Sequence, residues 1–225
     1  MTYEGLRLKV QKYQRILPAR QRRKRLKDTR FTILSNNCWG GMIYESYDLP
    51  KQTPTVGCFI MPDDYIRFLT RLDDYLRAPL TFISPEESRW KKEVCGDKRY
   101  GHYPIGNIEI TGAGGRENVE LFFMHFQSSE EAKEKWERRL ERIDREHLLV
   151  KFNDQNGCTQ KHIEAFEALP FRHKVCFTAT PYPDSYKSVR TIRVPKGHEY
   201  IRTSYEPFGR NRQADVTEMI NELFS

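Results

Sequence analysis

The amino-acid sequence predicts an α/β fold, a three-layer α/β/α sandwich with a mixed, mostly parallel sheet, and three observations carry that expectation. Short apolar runs of strand length, at residues 31–34, 56–61, 80–83, 148–152 and 175–178, alternate with segments whose apolar residues recur at helical spacing. Two of these runs break at once into small polar residues, SNNCWGG from Ser35 and NDQNG from Asn153, as strands do where they feed loops at the carboxyl edge of a sheet. Helix starts are marked by capping pairs, Ser128 with Glu131 and Asp215 with Glu218.

Taken in order, Tyr3, Leu6, Val10, Tyr13 and Leu17 share one helical face, with Arg7, Lys9, Lys12 and Arg15 between them, and Pro18 ends or kinks that helix. A basic run, Arg20-Gln21-Arg22-Arg23-Lys24-Arg25, follows. Residues 1–30 hold 11 Lys or Arg against 2 acids, whereas the remaining 195 residues carry 27 against 29. The net charge of +7 is therefore a property of one terminal segment, and the basic character of the chain says little about the core's ligand. Such a segment suits a solvated or packed helix first, an anionic membrane surface second and nucleic acid least. The fold proper is expected as a single α/β domain over residues 31–225.

After the strand at 31–34, Gly40 and Gly41 either open a helix through Met42 to Tyr47 or form a tight turn with Trp39 buried beneath it, and residues 56–61 read as a buried strand. Pro62 is the first helical residue of the next segment, with Asp63 and Asp64 at its positive end. Its apolar face is Tyr65, Phe68, Leu69, Leu72, Tyr75 and Leu76. A strand at 80–83 precedes a polar surface excursion over 84–103. Residues 108–111 and 119–125 flank Gly112-Ala113-Gly114-Gly115, a hairpin turn; a phosphate-cradling loop would have to feed a helix, and this one feeds a strand. Beyond Ser128 a helix turns Ala132, Trp136, Leu140 and Ile143 inward. Thr159 caps a helix bearing Ile163, Phe166 and Leu169. Residues 188–194 alternate like an edge or antiparallel strand, and the last helix faces Val216, Met219, Ile220, Leu223 and Phe224 inward.

No apolar run approaches the length of a membrane span, and the N-terminus lacks the apolar region of a signal peptide. The expected location is the cytoplasm, with residues 1–30 offering a peripheral contact to the inner face of the membrane. Five cysteines without CxxC spacing suit reduced thiols.

The chain after Arg30 resembles the bacterial family called domain of unknown function 1919, often labelled exopolysaccharide biosynthesis protein. The resemblance is carried by SNNCWGGMIYESYDLPKQTPTVGCFIMPDDYIRFL from Ser35, HFQSSEEAKEKWERRLERI from His125 and LLVKFNDQNGCT from Leu148. It implies a single three-layer α/β/α domain and an association with cell-surface polysaccharide or lipopolysaccharide synthesis, without an established reaction.

The two polar loops supply the candidate site, and they are expected side by side at one end of the sheet. Asn36, Asn37 and Asn153 offer amide donors and acceptors, Trp39 a flat face for a sugar or base, and Gly40 with Gly41 backbone amides for phosphate. Lys151 could meet a diphosphate. Asp154 is the carboxylate placed to act as a general base or to hold a metal, and His125, at a strand end, could be an acid, a base or a ligand. Each has a structural counterpart: Asn and Asp are ordinary turn formers, and a satisfied histidine is the commoner case. Cys38, near a helix start, is a nucleophile only against the commoner role of a buried thiol. Cys158 and His162 have metal-pair spacing but no further ligands. The expected activity is transfer from a nucleotide-sugar or lipid-linked glycan, with a divalent metal as candidate cofactor. The alternatives are a non-catalytic glycan-binding or assembly subunit and a nucleic-acid-binding protein acting through residues 1–30.

Overall fold

The computed structural model describes residues 3–112, 114–210 and 213–225, with Tyr3 and Glu4 by backbone alone. Its strands are β1 (Thr32–Ser35), β2 (Leu80–Ile83), β3 (Ile105–Gly112), β4 (Gly115–Phe122), β5 (Leu148–Asn153), β6 (Lys174–Thr178) and β7 (Val189–Thr191). Its helices are α1 (Tyr3–Ile16), α2 (Ala19–Arg23), α3 (Trp39–Ser46), α4 (Pro62–Thr70), α5 (Leu72–Arg77), α6 (Lys91–Val94), α7 (Ser129–Leu140), α8 (Gln160–Ala168) and α9 (Val216–Asn221).

The fold is α/β. A parallel sheet in the order β1-β5-β6-β7 stands beside an antiparallel sheet in the order β2-β3-β4. Strand periodicity of two divides the parallel sheet's side chains between two cores. Leu34, Val150, Phe152 and Cys176 pack with Tyr65 and Phe68 of α4 and with Ile163 and Phe166 of α8. Ile33, Leu149, Val175 and Phe177 pack on the other face with Trp39, Ile43 and Tyr44 of α3 and with Val216 and Ile220 of α9. Lys151 lies in the second set by register, between Leu149 and Asn153, and is fully buried there.

The capping signals hold: Ser128 accepts from Glu131 N at 3.2 Å, Asp215 from Glu218 N at 3.1 Å, and Pro62 begins α4. Thr159 caps α8 in a reciprocal box with His162. The hairpin runs from Gly112 to Gly115, with Ala113 outside the described residues.

Residues 56–61 depart from expectation. They form turns and one antiparallel pair, Phe59 with Phe122 (N···O 3.0 and 2.9 Å), and Ile60 N donates to Asn36 O at 2.9 Å. The segment is apolar because it fills the joint between the two sheets, and Gly57 at φ +89° ends any extended run. The helix after Pro62 breaks into α4 and α5 at Arg71, whose ψ of 42° is not helical. Residues 84–103 are more than a surface excursion, since Val94 of α6 and Tyr103 pack with Met61, Ile105 and Phe122. β7 is an edge strand, parallel to β6.

Helix α1 has its faces reversed from the usual arrangement. Its polar side docks: Arg7 Nε and Gln11 Nε2 donate to Ser204 O at 3.0 and 2.5 Å, Arg7 lies 4.2 Å over the Tyr205 ring, and buried Arg15 meets Glu45 at 3.1 Å. Arg22 of α2 donates to Arg15 O at 2.7 Å and Ser46 O at 3.0 Å. Leu6, Val10, Tyr13 and Leu17 stay exposed, while the side chain of Tyr3 lies outside the described residues.

Candidate active site

Because β1 and β5 are parallel neighbours, the loops that follow them emerge side by side at the carboxyl end of the sheet, and Asn36 Nδ2 donates to Asn153 Oδ1 at 2.8 Å. Behind them lies a buried charged pair, Lys151 with Glu206, each side chain fully enclosed. Asn37 Oδ1 accepts from Lys151 Nζ at 3.0 Å, Trp39 N at 3.1 Å and Ser35 Oγ at 3.1 Å. Asn37 Nδ2 and Asn153 Nδ2 both donate to Glu206, at 3.0 and 2.8 Å, and both reach Gln155 Oε1. Burial pulls the Lys151 pKa down while Glu206 opposes that shift. A charge pair with so many hydrogen bonds is the form in which two buried charges persist.

In front of this network, at the N-terminus of α3, Cys38 Sγ lies 3.2 Å from His125 Nε2. Cys38 is partly accessible and His125 exposed. His125 N donates to Gly57 O at 3.3 Å and Ile60 N to Asn36 O at 2.9 Å, so the 57–60 segment ties the chain after β4 to the chain after β1. Protein packed around the Cys38 thiol raises its pKa to about 11, with the charge of Glu206 as a second cause. Burial lowers the pKa of His125, and the nearby Arg99 and Lys51 lower it further. At neutral pH the contact is therefore a neutral thiol beside a neutral imidazole. Two cavities share these side chains. One, of about 980 Å³, is lined by Ile16, Leu17, Arg20, Gly41 and Lys51; the other, of about 860 Å³, by Phe59, Met61, Val94, Arg99 and Met124.

A family model described as domain of unknown function (DUF1919) matches residues 9–221, which takes in α1 from Lys9, both polar loops, Cys38, His125 and Glu206. The chain belongs to the DUF1919 family. It is 33% identical over 209 residues to a protein of Haemophilus influenzae that carries the name "Uncharacterized protein", a match covering 93% of this chain and 90% of that one.

Within this DUF1919 fold the residues singled out from sequence fall into two groups. Asn36, Trp39, Lys151 and Asn153 are fully buried, so they are not ligand-facing, which corrects the expectation of a stacking indole and a rim lysine. Trp39 Nε1 donates to Pro207 O at 2.7 Å, and its ring meets Phe177 edge-on at 5.4 Å. Gly40 is also buried, where an added Cβ would lie 3.4 Å from Ile33; Gly41 admits the close approach of Val56, whose Cγ1 would lie 2.9 Å from such a Cβ, and it lines the larger cavity. Asn37 reaches the wall of the smaller cavity beside Gln155.

Asp154 is a tie between loops. Its two oxygens accept from Ala179 N at 2.6 Å and Ile201 N at 2.7 Å, and burial raises its pKa against the pull of those two N–H groups. His162 is spent on the Thr159 cap through Nδ1 and on Asp63 through Nε2 at 3.1 Å, which removes the metal reading of Cys158 with His162. Among the described residues no cluster of three or more His, Cys, Asp or Glu side chains has the arrangement of a metal site. Cys38, for which a buried thiol is the commoner role, stands against a histidine. Its partner stands 87 positions away, and no local pattern links them. Glu206, in a stretch without periodicity, gave no signal at all.

Proposed function

We propose that the protein is an enzyme of bacterial surface-polysaccharide assembly that transfers an acyl group by way of Cys38. The observation that carries this reading is the 3.2 Å contact of Cys38 Sγ with His125 Nε2 where two cavities meet, an arrangement that lets donor and acceptor address one sulfur. With the thiol pKa near 11, no thiolate waits in the resting protein, so activation is by proton transfer during attack. Sγ attacks the acyl carbon of the donor as its proton passes to Nε2 of His125. The leaving group departs with that proton, and the acyl group stays on sulfur. An acceptor hydroxyl then gives its proton to Nε2 and attacks the thioester, and the departing sulfur recovers the proton. The amide of Gly41, in the first turn of α3 and at the wall of the larger cavity, offers the positive end of a helix to the oxygen that gains charge. Arg99 and Lys51 suit the phosphates of a nucleotide-sugar or lipid-linked glycan. The polysaccharide setting rests on the family resemblance given above.

Incubation with the acetyl thioester of N-acetylcysteamine should place an acetyl group on the peptide containing Cys38, read by mass spectrometry. Cys38→Ala should abolish that adduct, and His125→Gln should slow it by roughly 10²–10⁴-fold. The wild-type rate should fall as acid protonates His125, with a midpoint below the ordinary value of about 6.5 because the imidazole pKa is lowered. Equal labelling of exposed Cys95 and of Cys38, or an unchanged rate in His125→Gln, would overturn the reading.

A further inference from the structure

Helix α1 is held by its polar side and presents its apolar side outward, with Leu6 54%, Val10 48%, Tyr13 67% and Leu17 81% exposed. These four recur at the 3.6-residue period and so form one stripe along the helix. The stripe is not a defect of docking, because the opposite face makes the Arg7, Gln11 and Arg15 contacts already described. Lys9 and Lys12 flank it, and Arg20, Arg23, Lys24, Arg25 and Lys27 follow; all are exposed. An apolar stripe inside a field of exposed cations matches one surface chemistry, an anionic bilayer whose acyl boundary takes the stripe and whose headgroups take the cations. A second copy of the chain is a poorer match, since it would set the same cations against each other. No helix among the described residues is long and apolar enough to cross a membrane, so contact is with the surface.

We infer that α1 lies in the interface of an anionic lipid bilayer, stripe inward, and anchors the protein there as a peripheral membrane protein. The anchor does not depend on the chemistry assigned to Cys38. The stripe ends at Ile16 and Leu17, which also wall the larger cavity, so the lipid contact and the mouth of that cavity meet at Leu17.

The test is co-sedimentation of the 225-residue chain with vesicles of phosphatidylglycerol and phosphatidylethanolamine, and with phosphatidylcholine vesicles as the uncharged control. Binding is expected to the first and to fall at least 10-fold on the second. Leu6→Gln, Val10→Gln and Leu17→Gln combined should weaken binding at least 10-fold with an unchanged melting temperature, because the altered side chains are exposed. Each of Lys9→Gln, Lys12→Gln and Lys24→Gln should weaken it roughly 5-fold. Absence of binding to anionic vesicles at low salt would overturn the inference. So would full binding by the triple Gln variant, which would show attraction without insertion. A wild-type dimer in sedimentation equilibrium that the triple variant abolishes would assign the stripe to a second copy and overturn it as well.

Discussion

Lys151 and Glu206 lie fully buried with opposite charges, Lys151 held by Glu206 and Asn37, and Glu206 held by Lys151, Asn37 and Asn153. Removing one partner leaves a buried charge alone. Lys151→Met should lower unfolding free energy by about 3–5 kcal/mol in urea titration, and Lys151→Met with Glu206→Leu should recover most of that loss. Trp39→Ala should cost a similar amount, about 3–5 kcal/mol, by truncating a fully buried side chain. The sequence marks Asn36, Asn37 and Asn153 as unusual, since no regular structure asks for them, but it cannot say whether they face a ligand or each other. For Asn37 and Asn153 that choice is made by Glu206, 169 residues from Asn37, which accepts from both amides.

At the scale of elements, what depends on neighbours in sequence is legible, and what depends on the other sheet is not. Pro62, Ser128, Thr159 and Asp215 start their helices where local chemistry places them. The periodicity of α1 is equally plain, yet it says only that Leu6, Val10 and Tyr13 share a side; Ser204 and Glu45 decide which side turns inward. Residues 56–61 look like a strand because a joint between sheets and a central strand both demand apolar residues. Gly57 is where the difference lies. At φ +89° an alanine there would be strained, and its Cβ would lie 2.7 Å from Phe126 Cε2 and 3.6 Å from His125 Cβ. Gly57→Ala should therefore lower stability by roughly 1–3 kcal/mol and slow acetylation of Cys38. Gly197→Ala is the control. It has φ +88° with nothing within 4 Å, so it should share the strain and leave the acetylation rate unchanged.

In the whole molecule Cys38 follows the parallel sheet and His125 follows the antiparallel one, so no single layer owns the thiol–imidazole contact. Backbone bonds between the two layers run through residues 57–60, by the bond from His125 N to Gly57 O, the reciprocal Phe59 and Phe122 pair and the bond from Ile60 N to Asn36 O, and both sheets share one core, in which Leu34, Val150 and Phe152 lie with Ile108, Val119 and Leu121. Local opening begins where few bonds must break together. His125 is exposed in the segment beyond β4, so warming should separate it from the sulfur before either sheet melts, and Cys38 acetylation should decline at a lower temperature than the far-ultraviolet circular dichroism signal; coincident transitions would show that this segment and the sheets open together. A contact strung between the ends of two sheets registers how the loops beyond them are seated. At 3.2 Å it has little slack, so displacing either loop, with both hydrogen-bonded ladders intact, carries the thiol proton away from the imidazole that accepts it.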